Sequence, residues 1–172
     1  MKKSKFISLV ALFLVSTLAF SQKRTIPEVQ VQTVEGEKIS TSTFNNDGKP
    51  MIINFWATWC SPCKRELNNI ADVYDDWVEE TGVKLIAVSI DDSRNMHKVG
   101  PYVNAKGWEF EVYVDPNNDF RRAIGFQDPP FTCLIDGEGN IVYTHTGYQE
   151  GDEENLYEMV KKLAAGEKIS EE

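Results

Sequence analysis

The sequence is poor in the residues that would build a disulfide scaffold, a metal centre or a nucleic-acid surface. Its 172 residues include three cysteines and two histidines, and 18 lysines and arginines face 27 aspartates and glutamates, for a formal net charge of −9. Three cysteines cannot all pair within one chain, and small secreted domains that depend on disulfides carry more of them. No second Cys-x-x-Cys and no closely spaced histidine pair accompanies Cys60 and Cys63, so a tetrahedral zinc site drawing on them with His97 or His145 would be incomplete. The acid excess disfavours nucleic acid and anionic membrane as partners. No internal repeat, low-complexity tract or long linker is present. The one long apolar run, residues 6–20, has 15 residues, where a bilayer span needs about 20.

That run follows Lys2, Lys3 and Lys5 and ends in Ala19 and Ser21, spaced as at a cleavage site. Residues 1–21 therefore read as a secretory signal peptide cut after Ser21, with retention as a membrane anchor the minority alternative. The expected location is exported, in the periplasm or cell envelope. Losing the three lysines moves the net charge to −12. Residues 22–172 have the length of one domain with a full hydrophobic core.

Beyond residue 22 the text alternates strand-like and helix-like stretches. EVQVQTV (28–34), the Glu35-Gly36 turn and EKIS predict an N-terminal hairpin. MIINFWA (51–57) and VKLIAVSI (83–90) are continuous apolar runs of strand length, as central strands covered on both faces require. Between them Leu67, Ile70, Val73, Tyr74, Trp77 and Val78 recur at helical spacing until Thr81-Gly82. Residues 94–106 read as a helix interrupted at Gly100-Pro101, EFEVYVD (109–115) as a strand, and 117–125 as a short helical stretch. Asp91-Asp92 reads as a polar loop. FTCLID and NIVYTHT, joined by Gly137-Glu138-Gly139, predict a second hairpin, and residues 152–165 a last helix with Leu156, Met159, Val160 and Leu163 on one face. Such alternation predicts an α/β fold with a sheet between helices.

Cys60 and Cys63 fall where a central strand gives way to a helix. A permanent staple between them would close a very short loop and add little stability. The first turn of a helix, by contrast, leaves backbone N–H groups unpaired and carries positive partial charge. That favours a thiolate at Cys60, and thiolate is the nucleophile of disulfide exchange. Cys63 lies one turn on, at a spacing that suits a reversible disulfide. Pro62 fits the first turn because its missing N–H would have been unpaired anyway. Lys64 and Arg65 add positive charge beside the pair, or are simply a solvated helix face. The chemistry that follows is attack by Cys60 on a disulfide, a mixed disulfide, and resolution by Cys63, after which a partner must re-reduce the pair.

NFWATWCSPCK (54–64) resembles the active-site segment of the thioredoxin superfamily, and PPFTCLIDGEGNIV (129–142) resembles the segment holding its cis-proline and the hairpin behind it. The N-terminal hairpin and the insertion between residues 91 and 115 are more like the exported TlpA/ResA branch. The resemblance covers about residues 27–165. It implies a thioredoxin-like α/β fold: a central mixed β-sheet flanked by helices, with an N-terminal β-hairpin extension and an insertion before the cis-proline. It also implies Cys60 as attacking thiol, Cys63 as resolving thiol, Pro130 as the cis-proline facing them, and Trp59, Pro129 and Pro130 as the substrate-binding surface. Trp56 matches a family aromatic, and core burial alone would also account for it. Glu66 matches a helix carboxylate near the resolving thiol and could move a proton; the alternative is a glutamate that merely suits the helix dipole.

Two departures stand out. Asn54 replaces a buried aspartate of plain thioredoxin and cannot titrate. Pro129, before the cis-proline, offers a carbonyl but no N–H to an extended substrate, so one backbone hydrogen bond should be missing.

The implied function is an exported thiol-disulfide oxidoreductase of the protein-disulfide reductase type, working in cytochrome c maturation or envelope redox homeostasis. Expected with it are no cofactor and no metal, disulfide-containing protein substrates, a membrane-bound thiol reductase as electron donor, and a monomer. Competing readings are a thiol oxidase, a copper carrier using the dithiol, and a scaffold with an idle pair. Peroxide reduction would need a PxxxTxxC pattern that is absent. Cys133, in a predicted buried strand, reads as a small hydrophobe rather than a third redox thiol.

Overall fold

The structure, a computed structural model, describes residues 24–169; the signal-peptide reading of residues 1–21 lies outside the described residues. Seven strands form one mixed sheet: β1 (Gln30–Thr33), β2 (Lys38–Ser40), β3 (Met51–Trp56), β4 (Lys84–Ser89), β5 (Glu111–Val114), β6 (Phe131–Ile135) and β7 (Ile141–Thr146). Their spatial order is β2-β1-β5-β4-β3-β6-β7. β3, β4 and β5 run parallel, while β1, β2, β6 and β7 pair antiparallel with their neighbours. The apolar runs seen in sequence are the middle of this sheet, and every residue of β3 is buried.

Among the described residues four α-helices accompany the sheet: α1 (Ser61–Thr81), α2 (Val99–Lys106), α3 (Asp119–Ile124) and α4 (Asp152–Ala164). Alternate residues of a strand point to opposite faces. Phe55 turns to α3, with its ring centroid 4.9 Å from Phe120. Trp56 turns the other way, packing on Tyr102 of α2 and on Trp108. On that second face α1 and α4 meet through Trp77 and Tyr157, stacked with centroids 4.6 Å apart. Gly82 ends α1 in the left-handed region, where a residue with a side chain is strained, and its N–H closes on the Val78 carbonyl.

One expectation needs correction, and two gain detail. Gly100-Pro101 does not interrupt a helix. A 3-10 turn at Met96–Lys98 runs into α2, which begins at Val99, so Pro101 occupies a first turn that needs no N–H. Val73 and Val78 lie on α1, as their spacing predicts, at the margin of its buried stripe and 38% and 40% exposed. Asp91 lies in the loop after β4, as expected, and is fully buried there.

Candidate functional site

The site lies at the end of β3. In parallel pairing, Trp56 stands opposite Ser89, so the loops leaving β3 and β4 start side by side. Asp91 uses that proximity. It accepts hydrogen bonds from the Thr58 N–H and hydroxyl and from the Ser89 hydroxyl, all at 2.7 Å. The chain two residues before Cys60 is thereby pinned to the sheet. The sequence reading missed Asp91, because an aspartate at a strand end looks like any loop residue until its neighbour strand is known.

Cys60 is the N-cap of α1, and Pro62 sits within the first turn. Cys60 and Cys63 are joined by a disulfide with their Cα atoms 5.4 Å apart. The Cys63 N–H donates to Cys60 Sγ at 3.2 Å. An anion at that sulfur would keep this donor and gain from the helix terminus. The two sulfurs differ in access, since Cys60 is 5% exposed and Cys63 is closed off completely. Lys64 reaches over the Tyr102 ring, with Nζ 5.7 Å from its centroid, and Arg65 is exposed.

Against this pair stands the loop before β6. The Pro129–Pro130 peptide is cis, and the Pro129 carbonyl oxygen lies 3.7 Å from Cys60 Sγ. The loop is held from behind: Phe126 stacks on Phe131 at 4.5 Å, and the Gly147 N–H donates to the Pro130 carbonyl at 2.8 Å. Trp59 is 60% exposed immediately before Cys60. It presents apolar surface beside the cysteine pair. Trp56 is core, consistent with the plainer of its two readings.

One turn past Cys63, Glu66 is buried against the sheet. Asn54 Nδ2 donates to Thr132 Oγ1 at 2.9 Å, and Thr132 Oγ1 donates to Glu66 Oε1 at 3.1 Å. Among the described residues, Glu66 Oε2 has no hydrogen-bond partner. Burial pushes the Glu66 carboxyl up to about 7, with Asn54 and Thr132 pulling it back and the charges of Asp152 and Glu153 adding to the rise. A carboxyl so placed exchanges its proton near neutrality, as a general acid-base group must.

Cys133 takes no part in this arrangement. It stands opposite Ile53 in the β3–β6 pairing, one residue out of phase with Thr132 and Asn54. The pleat therefore turns it to the other face of the sheet from Glu66. Burial pushes its thiol up to about 12. His97 belongs to the 3-10 turn before α2, whereas His145 on β7 contacts Asp152, Nε2 to Oδ2, at 3.3 Å. Among the described residues no three His, Cys, Asp or Glu side chains group as a metal site.

Comparison with known proteins agrees with this geometry. The family model described as AhpC/TSA family matches residues 23–144. The thiol-disulfide oxidoreductase ResA of Bacillus thuringiensis subsp. konkukian is 31% identical, over 80% of this chain and 75% of the relative. The sporulation thiol-disulfide oxidoreductase A of Bacillus subtilis is 29% identical, over 82% and 84%. Among solved structures, a thioredoxin-like protein from Porphyromonas gingivalis is 49% identical, with a TM-score of 0.73 over 81% of this chain and 92% of that one.

Proposed function

Because this chain belongs to the AhpC/TSA family and is a thioredoxin-like thiol-disulfide oxidoreductase of the ResA type, we propose that it reduces protein disulfides with Cys60 as the attacking thiol. The single observation that carries this assignment is the asymmetry of the pair. Cys60 caps α1 and retains some exposure, while Cys63 has none, and attack on a foreign disulfide requires access. Cys63 then resolves the mixed disulfide from within.

Trp59 and the Pro129 carbonyl form the approach surface, and Pro130 sets that carbonyl facing Cys60. With no N–H at Pro129, an extended substrate gains one backbone hydrogen bond fewer there. Glu66 receives the proton that Cys63 must lose before it attacks, a role its burial beside α1's first turns supports.

The reducing direction is supported by Ser61 and Pro62, which supply no charge to hold the Cys60 thiolate unusually stable. A reduction potential near that of strongly oxidising dithiol proteins would overturn it. Export rests on the signal-peptide reading of residues 1–21. It implies a membrane-bound thiol reductase as electron donor and places the work in the envelope, in redox homeostasis or cytochrome c maturation.

The test is trapping. Cys63→Ser should leave substrate proteins disulfide-linked to Cys60 and isolable by non-reducing electrophoresis. Cys60→Ser should trap none. Equal trapping by the two variants would sink the assignment of roles.

A further inference from the structure

The cross-strand register sets three polar side chains in one row on the face that α1 covers. Asn54 of β3 pairs with Thr132 of β6, and Thr132 pairs with His145 of β7. Under the row lies a cavity of about 60 Å³ lined by Glu66, Thr132, His145 and Asp152, with Leu156 and Met159 as its apolar wall. This volume admits water, and Glu66, whose Oε2 has no hydrogen-bond partner among the described residues, is part of its lining. Of the other lining residues, His145 and Asp152 reach solvent, with side chains 37% and 29% exposed. The cavity thus joins a buried carboxyl to the molecular surface along a route that does not pass the Cys60–Pro129 face.

We propose that this cavity is the proton exit of the active site, and that His145, held by Asp152, passes the proton between Glu66 and solvent. The proposal rests on Glu66 taking the Cys63 proton. In the resolving step the Cys63 S–H proton goes to the Glu66 carboxylate, and the Cys63 sulfur forms its bond to Cys60. The bond between Cys60 and the substrate sulfur breaks, and that sulfur leaves with the electron pair and is protonated by water. Glu66 returns to carboxylate when its proton crosses the cavity water to His145 and then to bulk. Imidazole suits the relay because one ring nitrogen can accept a proton while the other releases one. The exit also works when a bound substrate covers the cysteines. The titratable groups facing Glu66 are Asp152 and Glu153 of α4, Tyr143 and His145 of β7, and Tyr148 in the turn between them.

The experiment uses the full reduced chain mixed with a small aromatic disulfide in weak buffer near neutral pH, following attack and resolution as separate phases. Near neutral pH part of the Glu66 population starts protonated and must empty before it can take the Cys63 proton. His145→Gln and His145→Leu should therefore both slow resolution several-fold, leave the first attack unchanged, and regain rate on addition of free imidazole. Slowing by His145→Leu alone would mean lost packing and overturn the proposal. Unchanged rates in both His145 variants, with resolution slowed in Glu66→Gln, would overturn the exit and keep Glu66 as proton acceptor. An unchanged resolution rate in Glu66→Gln would overturn both.

Discussion

Glu66 is a carboxyl that the fold holds away from water and only half satisfies, and its stability effect has a definite sign. Its pKa rises from 4.5 to about 7 on folding, so the native state binds this proton more tightly than the unfolded chain does. The associated stability is fully present below pH 4.5 and is lost as the pH climbs through about 7. A shift of this size corresponds to something on the order of 3 kcal/mol. Glu66→Gln, neutral at every pH, should therefore match the parent in urea denaturation at pH 4 and exceed it at pH 8. Equal midpoints at both values would show that the carboxyl is not held protonated by burial. The glutamate at position 66 was visible in the sequence, one turn past Cys63, but its two readings could not be separated there. Solvent exclusion separates them, and that depends on β6 and α4, far along the chain.

At the scale of elements, junctions do the placing. The strand-to-helix junction at Cys60 could be read directly, because an apolar run, Pro62 and a helical period meet there within a dozen residues. The support given by Asp91 could not, since it depends on the parallel pairing of β3 with β4. The opposite end of the sheet provides a contrast. A Cβ built on Gly137 would sit 2.0 Å from the backbone oxygen of Gly48, in the turn between β6 and β7 where it meets the loop before β3. Backbone has no rotamer with which to retreat. Gly137→Ala should part these loops and destabilise the protein by about 2 kcal/mol, as overpacking does. Its rate of disulfide exchange at Cys60 should be unchanged. A parental melting temperature in this variant would show that the contact is looser than described.

Over the whole molecule, a net charge of −9, or −12 without residues 1–21, surrounds a site whose own neighbours, Lys64 and Arg65, are positive. Long-range repulsion is screened by salt more than a local contact is. An acidic disulfide-bearing peptide should thus react faster as ionic strength rises, a basic one more slowly, and a neutral one about equally, as stopped-flow rates would record. Identical salt dependence for acidic and basic peptides would mean that the global charge does not act at the site. Central strands, the helix after Cys60, both hairpins and the cysteine pair were determined by sequence alone, because each rests on a short-range signal: a period, a turn or a cap. Tertiary structure alone decided that Glu66, Thr132 and Asn54 converge, that His145 joins their row, that Cys133 faces the other side, and that Asp91 braces the loop. These depend on register between strands nearly eighty residues apart in the case of Asn54 and Thr132. A shift of one residue would reverse every one of those faces. The same distinction applies to NFWATWCSPCK: its chemistry was legible from its own letters, and the path of its proton was not.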